Sequence, residues 1–124
     1  MREIKFRGMN VYTKIWHYGY LVVDEKYTQI WQKGDVPVPV DRETVGQFTG
    51  LLDKNDTEIY EGDIITGVNF KGYGIKNPVI WWGSGWYAGY DNPHNGMRVS
   101  VDSLYSISNI EVTGNIHEEA NHGN

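Results

Sequence analysis

Cysteine is missing from the chain altogether. Neither a disulfide nor a thiolate metal site can hold the fold, so burial of apolar surface must supply its stability. Alanine is nearly missing too, present only at Ala88 and Ala120. Helices favour alanine, and its scarcity argues against long ones. No apolar run approaches the roughly 20 residues a spanning helix needs. The start, Met1-Arg2-Glu3-Ile4-Lys5, lacks the apolar stretch of a secretory signal, so the expected compartment is the cytoplasm. Positive charge is also short: 11 Lys and Arg stand against 16 Asp and Glu, a net −5. That balance works against non-specific attraction to nucleic acid or an anionic membrane, because counterion release needs a surplus of cations.

What is present is a strand-and-turn vocabulary. Tyr, Trp, Val, Ile and Thr are plentiful among 124 residues, and there are 15 glycines. β-branched and aromatic side chains suit a pleated surface. The length fits one core, with a β domain expected over residues 1–117 and a polar, disordered tail over 118–124. Ile4 and Phe6 alternate with Lys5 and Arg7, the two-residue period of a half-buried strand. Further strands are expected over Ile15 to Val23 and Tyr27 to Gln32, joined by a hairpin turn at Asp24-Glu25-Lys26.

"DVPVPVD", Asp35 to Asp41, cannot be a central strand, because its two prolines lack ladder donors. It reads as an edge or a connection. Beyond the middle of the chain, strands are expected at Ile64 to Phe70, Ile75 to Trp82, Trp86 to Tyr90, Met97 to Val101 and Asn109 to Asn115. Gly-bearing turns and the loop Asp91 to Gly96 separate them. Short helical turns are expected near Asp41 to Thr44 or Ser103 to Ser106. The expected fold is all-β: a small barrel or bent, coiled antiparallel sheets.

The most patterned stretch is "TVGQFTGLLDKNDTEIYEGDII", Thr44 to Ile65. Apolar segments flank the polar turn "DKND", which reads as a hairpin, since Asn and Asp tolerate left-handed backbone and bond their own main chain. Together with the start "MREIKFRG" and the closing "IEVTGNIHE", Ile110 to Glu118, it resembles the YopX family of small phage and prophage proteins. The resemblance implies a β-rich fold of bent sheets and an accessory role, and brings no cofactor or catalytic residue with it. Asp56 departs from the family pattern, where the turn usually carries Gly.

The carboxylates Asp53, Asp56, Glu58, Glu61 and Asp63 are dense enough to suggest acid–base chemistry. A calcium loop starting at Asp53 fails, because its sixth and twelfth positions hold Glu58 and Ile64 in place of Gly and Glu. His117 and His122 stand five apart, not the four that put two ligands on one helical face. "GSGWYAG", Gly83 to Gly89, has the wrong glycine spacing for a dinucleotide loop and no helix after it. No catalytic motif and no cofactor site emerges.

The aromatic cluster Trp81, Trp82, Trp86, Tyr87 and Tyr90 is the feature with functional promise. Alternation sends Trp81 and Trp82 to opposite faces, so one ring is expected to point away from a shared core. Trp82, Trp86 and Tyr90 are the candidate interaction surface. The expectation is a non-enzymatic, homo-oligomeric module that binds a phage or host protein in the bacterial cytoplasm. Two alternatives stand beside it: a nucleic-acid-binding small barrel using the same aromatics, and a carboxylate-dependent hydrolase built around Asp63.

Overall fold

The structure is a computed structural model in which residues 3–118 are described. Residues 119–124 of the expected tail, with His122, lie outside them. The chain divides into two compact units at the step from Gly50 to Leu51. The expectation of an all-β fold holds: the strands of the described residues form two open antiparallel sheets, and neither closes into a barrel.

In the first unit β1 (Phe6–Met9), β2 (Trp16–Val23), β3 (Thr28–Trp31), β4 (Val38–Pro39) and β5 (Gly46–Leu52) stand in the order β4-β3-β2-β1-β5. The proline segment supplies only the two-residue β4, at the sheet edge where a missing N–H costs no ladder bond. Asp24 makes the β2–β3 turn: its Oδ1 accepts from the Lys26 and Tyr27 amides at 2.8 and 2.7 Å. Those bonds, Tyr27's first, hold the Asp24 carboxyl below its ordinary pKa. At Gly19 an added Cβ would come 2.4 Å from the Trp31 carbonyl oxygen, so β2 and β3 approach this closely only because that residue is glycine.

β1 inverts the alternation expected from the sequence. Arg7, Gly8 and Met9 are buried, while Ile4 lies exposed ahead of the strand. The cause is a cation–π stack: the Arg7 guanidinium carbon sits 4.4 Å from the centre of the Trp16 ring, which lets an arginine occupy a covered position. Thr44 adds a second tie, its Oγ1 accepting from the Met9 amide at 2.9 Å. The short helical turn Arg42–Thr44 that carries it is capped by Asp41, whose Oδ1 accepts from the Glu43 amide.

β5 crosses into the second unit, where Leu51 and Leu52 lead through a turn into β6 (Glu58–Tyr60). There β7 (Asp63–Val68), β8 (Gly74–Trp82), β9 (Gly85–Asp91), β10 (Arg98–Ser103) and β11 (Ser108–Asn115) form a sheet in the order β10-β9-β8-β7-β11. Ile59, Ile65, Val79, Trp86, Ala88, Leu104 and Ile107 make its buried core. The helical turn Leu104–Ser106 is present as well, so both short turns considered from the sequence form.

Two hairpin turns of this unit use one device. Asp53 Oδ1 accepts from the Asn55 and Thr57 amides, and Asn69 Oδ1 from the Lys71 and Tyr73 amides, each two and four residues further on. The intervening left-handed position holds Asp56 (φ 63°) in the first turn and Gly72 (φ 87°) in the second. The acidic or amide side chain thus replaces a ladder partner at each bend. After β11, Asn115 Oδ1 accepts from the His117 and Glu118 amides and caps a helical turn at residues 116–118.

Candidate interaction surfaces

The β8–β9 hairpin carries the aromatic cluster, and its register decides where each ring goes. Trp81 opposes Trp86, Trp82 opposes Gly85, and Val79 opposes Ala88. Opposed residues share a face, so Val79, Trp81, Trp86, Ala88 and Tyr90 face one side, and Ile80, Trp82 and Tyr87 the other. Trp86 is 3% exposed and belongs to the core. Its indole nitrogen is buried with no acceptor among the described residues. Trp81 covers it edge-on at 4.9 Å, while Trp82, 44% exposed, packs edge-on against Tyr87 at 5.3 Å.

Trp82, Trp86 and Tyr90 therefore do not form one surface. Trp82 and Tyr90 are partly exposed on opposite faces, and Trp86 is covered. The physical reason is parity: an even number of strand positions separates Trp86 from Tyr90, whereas the short turn at Gly83-Ser84 sets Trp82 opposite Gly85 and on the other side. The rings left open by the hairpin are Trp81, Trp82 and Tyr90.

Two carboxylates of the central motif, Asp53 and Asp63, accept from backbone amides. Asp53 accepts three main-chain N–H groups, the third from Val112 to Oδ2 at 2.9 Å, and so ties β11 to the turn. Burial pushes the Asp53 carboxyl up, but bonds from Val112, Thr57 and Asn55, with the Lys54 charge, outweigh it and hold its pKa below the usual value. Asp63 is 2% exposed, and its Oδ2 accepts from the Tyr60 amide at 2.7 Å across the Glu61-Gly62 turn. Glu58 accepts the Tyr60 hydroxyl at 3.0 Å. No group of three His, Cys, Asp or Glu side chains is gathered for a metal ion among the described residues.

The first unit exposes a second aromatic surface. On β2, Trp16, Tyr18, Tyr20 and Val22 share one face by alternation, and Trp31 of β3 opposes Tyr20. At the β1 side this face is closed by Arg7 and Met9. Toward β3 it is open: Tyr18, Tyr20 and Val22 are all exposed, Tyr20 at 58%, with its ring 5.8 Å from that of Trp31. Trp31 is fixed by its indole N–H, which donates to the Asp35 carbonyl at 2.9 Å. A groove of about 630 Å³ runs beside Tyr18, Tyr20 and Trp31, rimmed by Glu3, Lys5 and Lys33. The signal for this face was present in "WHYGYLVV" as apolar residues at every second position, but both faces of the segment are apolar enough that the sequence does not say which one is covered.

These elements also hold the three sequence blocks that identify the chain. The model of the YopX protein family matches residues 5–122. The chain belongs to the YopX family. No curated protein matches it. In this YopX family member the central block builds the end of the first helical turn, β5, the Asp53 turn, β6 and the entry to β7; the closing block builds β11 and its capped helical turn. The conspicuous pattern is thus a folding plan. The exposed aromatic surfaces lie outside those blocks.

Proposed function

We propose that this YopX family member is a phage- or prophage-encoded accessory protein, acting in the host cytoplasm as a non-catalytic interaction module whose first partner is a second copy of itself. The observation that carries this reading is the open face of β2 and β3, where Tyr18, Tyr20 and Val22 meet solvent beside Trp31. An antiparallel sheet face that remains open is usually polar. Contiguous exposed aromatics mark a contact site, because tyrosine and tryptophan give large contact area at low entropic cost. The rim bears both signs, with Glu3 opposite in charge to Lys5 and Lys33. A two-fold pairing of identical faces needs such a mixed rim, since each patch meets itself. Asp53 and Asp63, spent on backbone amides, support a scaffolding role for the central motif.

Light scattering on a sizing column over the micromolar range tests this. A dimer is expected for the wild type, and Tyr20→Asp or Val22→Lys should convert it to monomer, while Trp82→Ala leaves it unchanged. A strict monomer at every concentration would falsify the reading.

A further inference from the structure

The second unit contains an opening that the oligomeric reading does not use. β8 pairs with β7 from Gly74 to Pro78 and with β9 from Val79 to Trp82, passing from one ladder to the other in mid-strand. β9 in turn pairs with β10 through Tyr90 and Asp91. Pairing between β8 and β9 ends at Val79 and Ala88, and where the strands part a groove of about 470 Å³ opens between the two hairpins. That volume is within the range of small-ligand sites.

The groove's chemistry differs from that of the rest of an acidic chain. Lys71 and Lys76 line it with one carboxylate, Asp102, leaving a local excess of one positive charge in a protein of net −5. Neither lysine makes an ion pair among the described residues. Two aromatic rings stand at the same opening. Phe70, on the β7–β8 turn, is 72% exposed, and Tyr90 borders the groove from β9. An exposed phenylalanine has no polar group to reward its contact with water. The Lys71 ammonium lies 5.7 Å from the centre of the Phe70 ring, so cation and ring are presented as a pair. Asn69 holds the backbone beneath them through its bonds to the Lys71 and Tyr73 amides, both 3.0 Å. The backbone of the turn is therefore held in place before any ligand arrives.

We propose that this groove binds a nucleotide unit, with the base stacked on Phe70 or Tyr90 and the phosphate set against Lys71 and Lys76. A flat ring beside two ammonium groups suits a ligand that is aromatic and anionic at once, and neither property alone uses both features. Asn77 and Asp102 line the groove as hydrogen-bonding groups able to meet the edge of a base. The same chemistry arrives from two sources, a free nucleotide or a residue of a single strand. Single strands are bound by such pairing of aromatic platforms with cationic groups.

Two probes separate these sources. Fluorescence anisotropy with labelled single-stranded oligonucleotides of about ten residues, at low salt, reads strand binding. Amide shifts of residues 69–77 during titration with nucleoside monophosphates read the free ligand. Binding in either experiment is expected, and which one responds identifies the source. Phe70→Ala should weaken it at least fivefold, as expected for losing one stacked base. Lys71→Gln with Lys76→Gln should weaken it tenfold or more at low salt and flatten the dependence of log affinity on log salt by about 1.4 for a strand. All three side chains sit on an exposed turn or strand face, so the fold is expected to survive, and circular dichroism checks it. Trp82→Ala, at the far end of β8 and outside the residues that line the groove, should bind as the wild type does. No response to either probe overturns the proposal, as does affinity unchanged in both groove variants. Displacement of the oligonucleotide by polyglutamate as readily as by nucleotides also overturns it, since that would show attraction to charge alone. The oligomer measurement uses different residues, so either proposal can fail without the other.

Discussion

At the scale of single residues, Asp53 ties together distant parts of the second unit. Its two oxygens satisfy three amides, including one on β11 that lies far away in sequence. Asp53→Ala should lower stability by about 2 kcal/mol, because the amides it leaves lose a charged acceptor. Its folded pKa lies below the unfolded value of 3.8, so its contribution is fully present above that value and is lost as pH falls through the folded pKa. Urea unfolding of wild type and Asp53→Asn should therefore differ most near neutrality and converge in acid as pH falls through the lowered Asp53 pKa. A gap that is constant with pH would contradict this assignment. Asp56 is the residue where the sequence pattern and the backbone agree on a cost. It takes φ 63°, the position filled by Gly72 in the matching turn. Asp56→Gly should raise the thermal midpoint, by an amount corresponding to less than about 1 kcal/mol, since glycine relieves the left-handed strain but gains freedom in the unfolded chain.

At the scale of elements, the β8–β9 hairpin was legible in its position and not in its facing. The run from Ile75 to Tyr90 reads as two strands and a glycine turn, and forms them. Which tryptophan is buried depended on the length of that turn, which sets the register. The consequence is measurable: Trp86→Ala should cost about 3–5 kcal/mol by chemical denaturation, because it empties a core position. Trp82→Ala should cost about 1 kcal/mol, mostly its edge contact with Tyr87. Trp86→Phe should cost less than Trp86→Ala, since the indole N–H that it removes has no acceptor among the described residues to lose. β1 shows the opposite case. Its alternation is plain in the sequence, but Arg7 is covered because Trp16, nine residues on, provides a ring for its guanidinium. A period-two pattern records polarity and cannot record that pairing.

At the scale of the whole molecule, two compact units of one chain carry two different kinds of exposed surface. The first unit offers an apolar sheet face with a mixed-charge rim, and the second a cationic groove edged by two rings. If the first pairs copies, the thermal midpoint should rise with protein concentration, and Tyr20→Asp should remove that dependence. Net charge is a property of the whole that misleads about the part. A total of −5 argues against nucleic-acid binding, yet the lysines of the groove sit where only one carboxylate lines it. Averaging over a chain hides charge that folding gathers in one place.

The sequence by itself determined the all-β class, the strand and turn positions, the absence of disulfide support and, through three short blocks, the YopX family. These follow from local chemistry: β-branched and aromatic propensity, glycine and Asx residues at bends, and prolines that exclude a central strand. Tertiary structure alone decided that the sheets stay open, that Trp86 is core while Tyr20 meets solvent, and that Asp53 and Asp63 hold backbone. It also brought Phe70, Lys71, Lys76 and Tyr90 to one groove. Each of those outcomes turns on strand register and on which partner a side chain meets across the sheet, and neither is written in the residues nearby.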